Sequence, residues 1–265
     1  MSGDTQGWIS IVGLGPGTPD WLTPEAVREL EQATDIVGYG PYVDRVPPDI
    51  GRMGPQTRHA SDNRVEIDRA RHALDMAADG RRVAVVSGGD PGVFAMAAAV
   101  FEALEAGTDP RWAAVPIRVC PGISAMQAAA ARAGAPLGHD FCAISLSDNL
   151  KPWDVVVRRL RLAAEADFVI ALYNPISRAR PWQLGAAFDA VREIRSPGTP
   201  VILGQAIGRP DERLMVVPLG TGDPAMADMR TVVIIGASHT RLVPRGEGET
   251  PWVYTPRSYQ CGSGC

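Results

Sequence analysis

The 265-residue chain is expected to be an α/β protein with two consecutive α/β domains and a ligand cleft between them. Three observations carry that expectation. Short apolar runs rich in β-branched residues alternate with stretches of helical spacing. The apolar runs stop abruptly at glycine- and proline-rich turns. The alternation then starts again beyond residue 136, and strands alternating with helices build layered α/β sheets.

The clearest run is 83–86, apolar at every position as in a strand covered on both faces. It stops at Ser87-Gly88-Gly89-Asp90-Pro91-Gly92, and an alanine-rich helix is expected over 93–105. Adjacent glycines let backbone approach a ligand closely, and open α/β sheets bind ligands at the carboxyl ends of their strands. Asp90 either serves such a ligand or caps the helix; the residue types alone leave both open.

In chain order, a strand over 8–13 runs into Gly13-Leu14-Gly15-Pro16-Gly17, and a helix opens with Thr23 as N-cap and Pro24 in the first position. A dinucleotide fingerprint needs a third glycine where Thr18 stands, and the helix begins too late to receive a pyrophosphate. A second strand is predicted over 35–38, and 39–54 reads as loop. Val65, Ile67, Ala70, Leu74 and Ala77 give helical spacing over 64–78, closed by Gly80. A strand over 117–120, the turn Pro121-Gly122-Ile123-Ser124 and a helix over 125–133 follow. Beyond the linker at 134–140, strands are expected over 141–145, 167–173, 200–205, 214–218 and 231–235, with helices over 153–166 and 181–194. The domains are thus read as 1–135 and 136–250, with 251–265 a flexible tail.

Apolar residues at 45% and charged residues at 21% describe a globular chain, and a net charge of −4 argues against a general nucleic-acid binder. No apolar run approaches the roughly 18 residues of a membrane span, so a cytoplasmic protein with no membrane partner is expected. Of the four cysteines, Cys120 and Cys142 fall in apolar runs and read as inert core thiols, while Cys261 and Cys265 sit in the tail without metal-ligand spacing. No metal site is expected from the histidines either.

Taken together, Gly13-Leu-Gly-Pro-Gly17, Ser87-Gly-Gly-Asp-Pro91, Pro121-Gly-Ile-Ser-Ala125 and Val232-Val-Ile-Ile-Gly236 resemble the motifs of the tetrapyrrole (class III) methyltransferases. Their order and spacing cover nearly the whole chain. The stretches Gly38-Tyr-Gly-Pro-Tyr42, Ser145-Leu-Ser-Asp-Asn-Leu-Lys-Pro-Trp153 and Ala171-Leu-Tyr-Asn-Pro-Ile-Ser-Arg178 are similar to the ring-contracting corrin-pathway branch of that family. Gly236-Ala237-Ser238 departs from the Gly-Asn-Ser usual in that branch.

The resemblance implies S-adenosyl-L-methionine as methyl donor, S-adenosyl-L-homocysteine as product, a polycarboxylate tetrapyrrole as substrate, and a homodimer. Carried over by motif, the donor-binding residues are Pro16, Gly88, Gly89, Asp90, Val93, Ser124 and Ala125, then Tyr173 or Asn174, Ala206 or Ile207, and Ala237. Arginine forks hold carboxylates best, and Arg45, Arg58, Arg64, Arg178 and Arg180 fall in predicted loops. Methyl transfer needs alignment more than a dedicated nucleophile, but ring contraction calls for a proton donor or acceptor. Asp148, Ser147 and Glu66 are the candidates, with His139-Asp140 a further pair. A sister enzyme acting at another ring position and a non-catalytic tetrapyrrole carrier are the competing readings.

Overall fold

The computed structural model describes residues 6–51, 54–62, 65–177 and 180–258. The chain divides into two compact units, Met1–Ser124 and Ala125–Cys265. The division precedes the helix after Ser124, whereas the sequence reading set it at residue 136. Packing decides the matter: that helix lies on the second unit's sheet, where a Cβ added to Gly204 would meet the Ala129 methyl at 2.7 Å.

The first unit contains β1 (Trp8–Gly13), α1 (Pro24–Gln32), β2 (Asp35–Tyr39), α2 (Gly40–Val43), β3 (Thr57–Ser61), α3 (Glu66–Ala78), β4 (Arg82–Ser87), α4 (Met96–Ala106) and β5 (Ile117–Cys120). Its strands form one sheet in the order β3-β2-β4-β1-β5. Every pairing is parallel. Alternate strand residues serve opposite cores. Ile9, Ile11, Val83 and Val85 pack with residues of α3 and α4, while Val12, Ile36, Ala84 and Val86 pack with Ala26 and Leu30 of α1. Burial on both faces explains the uninterrupted apolar runs.

Local chemistry sets the helix ends. The Thr23 hydroxyl accepts from the Ala26 N–H, with Pro24 in the first position. At the end of α3, Gly80 takes φ +86°, and the N–H groups of Gly80 and Arg81 return to the carbonyls of Ala77 and Met76, a Schellman closure. Two elements differ from the sequence expectation. β3 is an edge strand of polar residues with no hydrophobic alternation to reveal it, and α2 forms within the stretch 39–54 read as loop.

The second unit contains α5 (Ala125–Ala133), β6 (Gly134–Ala135), β7 (Phe141–Ser145), α6 (Trp153–Glu165), β8 (Val169–Tyr173), α7 (Gln183–Arg192), β9 (Pro200–Gln205), β10 (Arg213–Pro218), β11 (Thr231–Ile235), β12 (Arg241–Val243) and β13 (Trp252–Tyr254). Its main sheet runs β10-β9-β11-β8-β7. Here β7 and β8 are parallel, but β11 lies antiparallel between β8 and β9. Helices α6 and α7 cover one face through Leu160, Leu184 and Phe188.

The tail expectation is corrected. β13 pairs antiparallel with β12 and parallel with β6, and Val253 is fully buried. The Thr255 hydroxyl donates to the Pro136 carbonyl at 2.6 Å, so Thr240 supplies the hydrogen in the 2.8 Å contact between the two threonine hydroxyls. Cys261 and Cys265 lie outside the described residues. Replacing Thr255 by valine keeps the shape but leaves the Pro136 carbonyl unpaired in a buried site. Thr255→Val should cost about 1–3 kcal/mol, read as a drop of roughly 2–4 °C in melting temperature per kcal/mol; an unchanged melting curve would mean the strand does not hold the unit.

Candidate active site

Because β4, β1 and β5 are parallel neighbours, the turns that follow them leave the first unit's sheet side by side at its carboxyl edge. These are the three motif turns. Their backbones touch. The N–H of Gly15 donates to the Gly89 carbonyl at 3.2 Å and the Gly15 carbonyl accepts from the Gly89 N–H at 2.9 Å, while Leu14 N–H donates to the Ser87 carbonyl at 2.9 Å. A Cβ on Gly122 would lie 2.4 Å from the Gly89 oxygen, and one on Gly13 would lie 2.7 Å from the Gly122 nitrogen. Gly88 is fixed differently, by the Tyr42 ring 2.7 Å from where its Cβ would be.

Asp90 is placed by this contact. One carboxylate oxygen accepts from Gly92 N–H at 2.8 Å and the other from Gly122 N–H at 3.1 Å, so it ties the β4 turn to the β5 turn. It does not cap α4, whose N-cap is Ala95. The first loop's chemistry also separates it from phosphate-binding loops, which aim their N–H groups at an anion. Here the Leu14 and Gly15 N–H groups are spent on the β4 turn, and Pro16 has none.

Val93 and Ser124 follow in the same turns; Ser124 is buried and Val93 half-buried, with its N–H on the Asp90 carbonyl at 3.3 Å. Next to Val93, Phe94 has φ +53° and is 50% exposed. A bulky residue in the left-handed region is strained, and such strain gathers at functional sites. Nothing in the sequence signals it. Glu66 opens α3 at the same sheet edge and is exposed. Arg69, one turn on, is 96% buried by its 4% exposure, and its guanidinium donates to Ser61 Oγ, the Asp62 carbonyl and the Met96 sulfur. Burial depresses its pKa.

The predicted substrate arginines that are described all have partners within the protein. Arg45 donates to the carbonyls of Leu14, Gly15 and Gly17, and Arg58 to those of Val43, Val46 and Pro47. Both guanidinium groups serve the backbone of their own unit, an outcome that loop position could not reveal. Arg64 and Arg178 lie outside the described residues. Arg180 is bound by the loop after β7: its Nη1 reaches Ser147 Oγ at 2.9 Å, Asp148 Oδ1 at 2.9 Å and Asn149 Oδ1 at 3.0 Å. The hydrogen bond from Arg180 holds the Asp148 carboxyl below the usual carboxylate range. At neutral pH Asp148 is therefore an acceptor and carries no proton to give. His139 and Asp140 lie before β7, with His139 edge-on to His239.

In the second unit, register groups the remaining candidates. Leu172 of β8 faces Val233 of β11, and Gln205 of β9 faces Thr231. Tyr173, Asn174, Ala206 and Ile207 thus share one end of the sheet. Ala237 follows the other end of β11, where Ile235 faces Ile170. It does not belong with the others, because an antiparallel strand delivers its carboxyl end to the opposite edge. The Tyr173 hydroxyl accepts from Met126 N–H at 3.1 Å, in the first turn of α5 that Ala125 opens. Asn174 (φ +52°) and Ala206 (φ +51°) are both left-handed. Asn174 donates to Ser145 Oγ at 3.0 Å.

Beside Ala206 lies the turn Asp228-Met229-Arg230-Thr231, part of the family resemblance but given no role by the sequence. Ala206 N–H donates to the Arg230 carbonyl at 3.0 Å, and Asp228 accepts from Gln205 Nε2, Arg230 N–H and the Thr231 hydroxyl. Burial alone would raise the Asp228 pKa, but these donors bring it below the ordinary range. The two described thiols are chemically quiet. Burial pushes Cys120 up to about 11, and burial also raises Cys142, so neither is a thiolate at neutral pH.

The class of a protein with a parallel unit bearing three glycine turns, followed by a mixed unit, is made specific by its relatives. The chain belongs to the tetrapyrrole (corrin/porphyrin) methylase family, whose model matches residues 9–223. It is 58% identical over 253 residues to a Sinorhizobium sp. precorrin-3B C(17)-methyltransferase, covering 96% of this chain and 97% of that one. It is 40% identical to a probable cobalt-factor III C(17)-methyltransferase of Salmonella typhimurium, covering 93% of this chain and 99% of that one. The crystal structure of the methyltransferase CobJ superposes with a TM-score of 0.87 at 55% identity, covering 94% of this chain and all of that one.

The contact of the three turns is testable directly. Gly122→Ala forces backbone against backbone and should cost roughly 1–3 kcal/mol, the usual range for overpacking. Thermal unfolding reads it. A neutral substitution would show that the turns have room to part.

Proposed function

We propose that this protein transfers a methyl group from S-adenosylmethionine to C17 of precorrin-3B, with contraction of the macrocycle, in cobalamin (vitamin B12) biosynthesis. The observation that carries this reading is the 58% identity to the Sinorhizobium enzyme over nearly the full length of both chains. The site chemistry supports it. When bound, the donor supplies an electrophilic methyl group. The residues assigned to it are Pro16, Gly88, Gly89, Asp90, Val93 and Ser124 of the first unit, and Ala125, Tyr173, Asn174, Ala206 and Ile207 of the second. Neutral walls built from glycine backbone suit a sulfonium better than an anion nest would. The buried Ala206 and Ile207 offer an apolar surface with backbone polar groups for a purine edge.

On the substrate side we assign Arg180, Ser147 and Asp148, with Glu66 a further candidate. The ionised Asp148, held by Arg180 and by Gln183 Nε2 at 3.2 Å, can accept or orient a proton at the carbon skeleton but cannot start as its donor. The macrocycle's carboxylates and the net charge of −4 both fit a small-molecule partner better than a nucleic acid. Among the described residues no helix is long and apolar enough to cross a membrane. We further propose a cytoplasmic homodimer, an assembly that light scattering after size exclusion reads.

A second reading has a specific observation behind it: the 40% identity to the Salmonella protein named for cobalt-factor III makes a cobalt-bearing macrocycle the alternative substrate. Purified protein incubated with donor and either macrocycle, followed by mass spectrometry, separates the two. The expected result is a gain of one methyl on precorrin-3B, faster than on the cobalt form, with the product spectrum of a contracted ring. No methyl gained on either macrocycle would overturn the assignment. Asp148→Asn is expected to slow conversion at least tenfold, in line with the 10²–10⁴-fold contribution typical of general acid–base groups; wild-type rates of both methylation and contraction would remove Asp148 from the mechanism.

A further inference from the structure

We propose that Arg45 is the positioning residue of the donor site: its guanidinium gathers the carbonyls of the Gly13–Gly17 loop and so fixes that loop's placement against the other two glycine turns. The inference rests on the reading that these turns hold S-adenosylmethionine. Arg45 follows α2, about thirty residues from the loop it binds, so the contact is tertiary. Its Nη2 lies 3.1 Å from the Leu14 carbonyl oxygen, 2.8 Å from that of Gly15 and 3.2 Å from that of Gly17.

Three carbonyl dipoles converging on one point repel one another unless a cation sits at that point. The conformation of the loop therefore presupposes the guanidinium. On its other side the loop is held by the Leu14 and Gly15 N–H groups, which reach Ser87 and Gly89. Pro16, between the two anchored glycines, is presented in one position only because both sides are tied. Gly15 has φ +65°, and a Cβ there would lie 3.2 Å from the Trp21 carbonyl oxygen, so the conformation that Arg45 meets is one that favours glycine. The coupling continues from Gly89 to Asp90, whose carboxylate reaches Gly122. One side chain thus sets the first turn of a set of three, and an arginine stays charged at every working pH.

The experiment compares wild type, Arg45→Met and Arg45→Lys by calorimetric titration with S-adenosylhomocysteine, by steady-state kinetics and by melting temperature. Methionine keeps volume without charge; lysine keeps charge on one nitrogen. Arg45→Met should weaken S-adenosylhomocysteine about tenfold or more, as loss of charge-assisted hydrogen bonds does, and raise the donor KM in parallel. The tetrapyrrole KM should not move, and Arg45→Lys should recover part of the affinity. A rise in tetrapyrrole KM alone would restore Arg45 as a substrate fork and overturn the proposal. So would a lower melting temperature with undiminished S-adenosylhomocysteine affinity, the mark of a purely structural contact. If Arg45→Met does not fold, Arg45→Lys decides, and wild-type affinity in that variant overturns the proposal. Wild-type protein giving no heat with S-adenosylhomocysteine overturns the donor reading itself, and the proposal with it.

Discussion

The constraint on which the first unit's motif turns depend is the mutual contact of Gly13, Gly89 and Gly122. Their backbones approach to distances that no Cβ tolerates. The contact exists because β4, β1 and β5 are adjacent and parallel, so their turns emerge at one edge. It is kept by a two-way backbone bridge between Gly15 and Gly89 and by the Asp90 carboxylate spanning two turns. Polar groups that might have served a ligand are consumed in making the frame. What remains is shape, a few carbonyls and small side chains, a lining unlike that of a pyrophosphate-binding loop.

The second unit solves a different problem with a mixed sheet. Placing β11 antiparallel between β8 and β9 leaves the carboxyl ends of β8 and β9 at one edge, where Asn174 and Ala206 both adopt left-handed backbone. Of the four non-glycine residues with positive φ among the described residues, Phe94, Asn174 and Ala206 stand at or beside motif positions. Strain of this kind persists only where surrounding structure over-determines it. The Asp228–Thr231 turn does so for Ala206, and Ser145 for Asn174.

Charge follows the same economy. Arg45 and Arg180 sit in loops and Arg58 on the edge strand β3, yet Arg45 and Arg58 are engaged by main-chain carbonyls and Arg180 by the loop carrying Asp148. A guanidinium has five N–H donors, and a loop rich in glycine and proline exposes many carbonyls, so such pairings compete with any substrate. Sequence position cannot tell these fates apart.

The chain's own residues settled the α/β class, the strands of the buried sheets, the helix boundaries at Thr23 and Gly80, and the three glycine turns, because each depends on neighbours within a few residues. The tertiary structure alone decided the rest. The polar edge strand β3 exists by pairing with β2, α5 joins the second unit by packing on its sheet, and 252–254 becomes a strand by finding β6 and β12. Ala237 is separated from Ala206 by strand direction, and Arg45 finds carbonyl partners about thirty residues away. In each case the deciding partner is distant in sequence, and no local pattern records a partner that only the folded chain brings near.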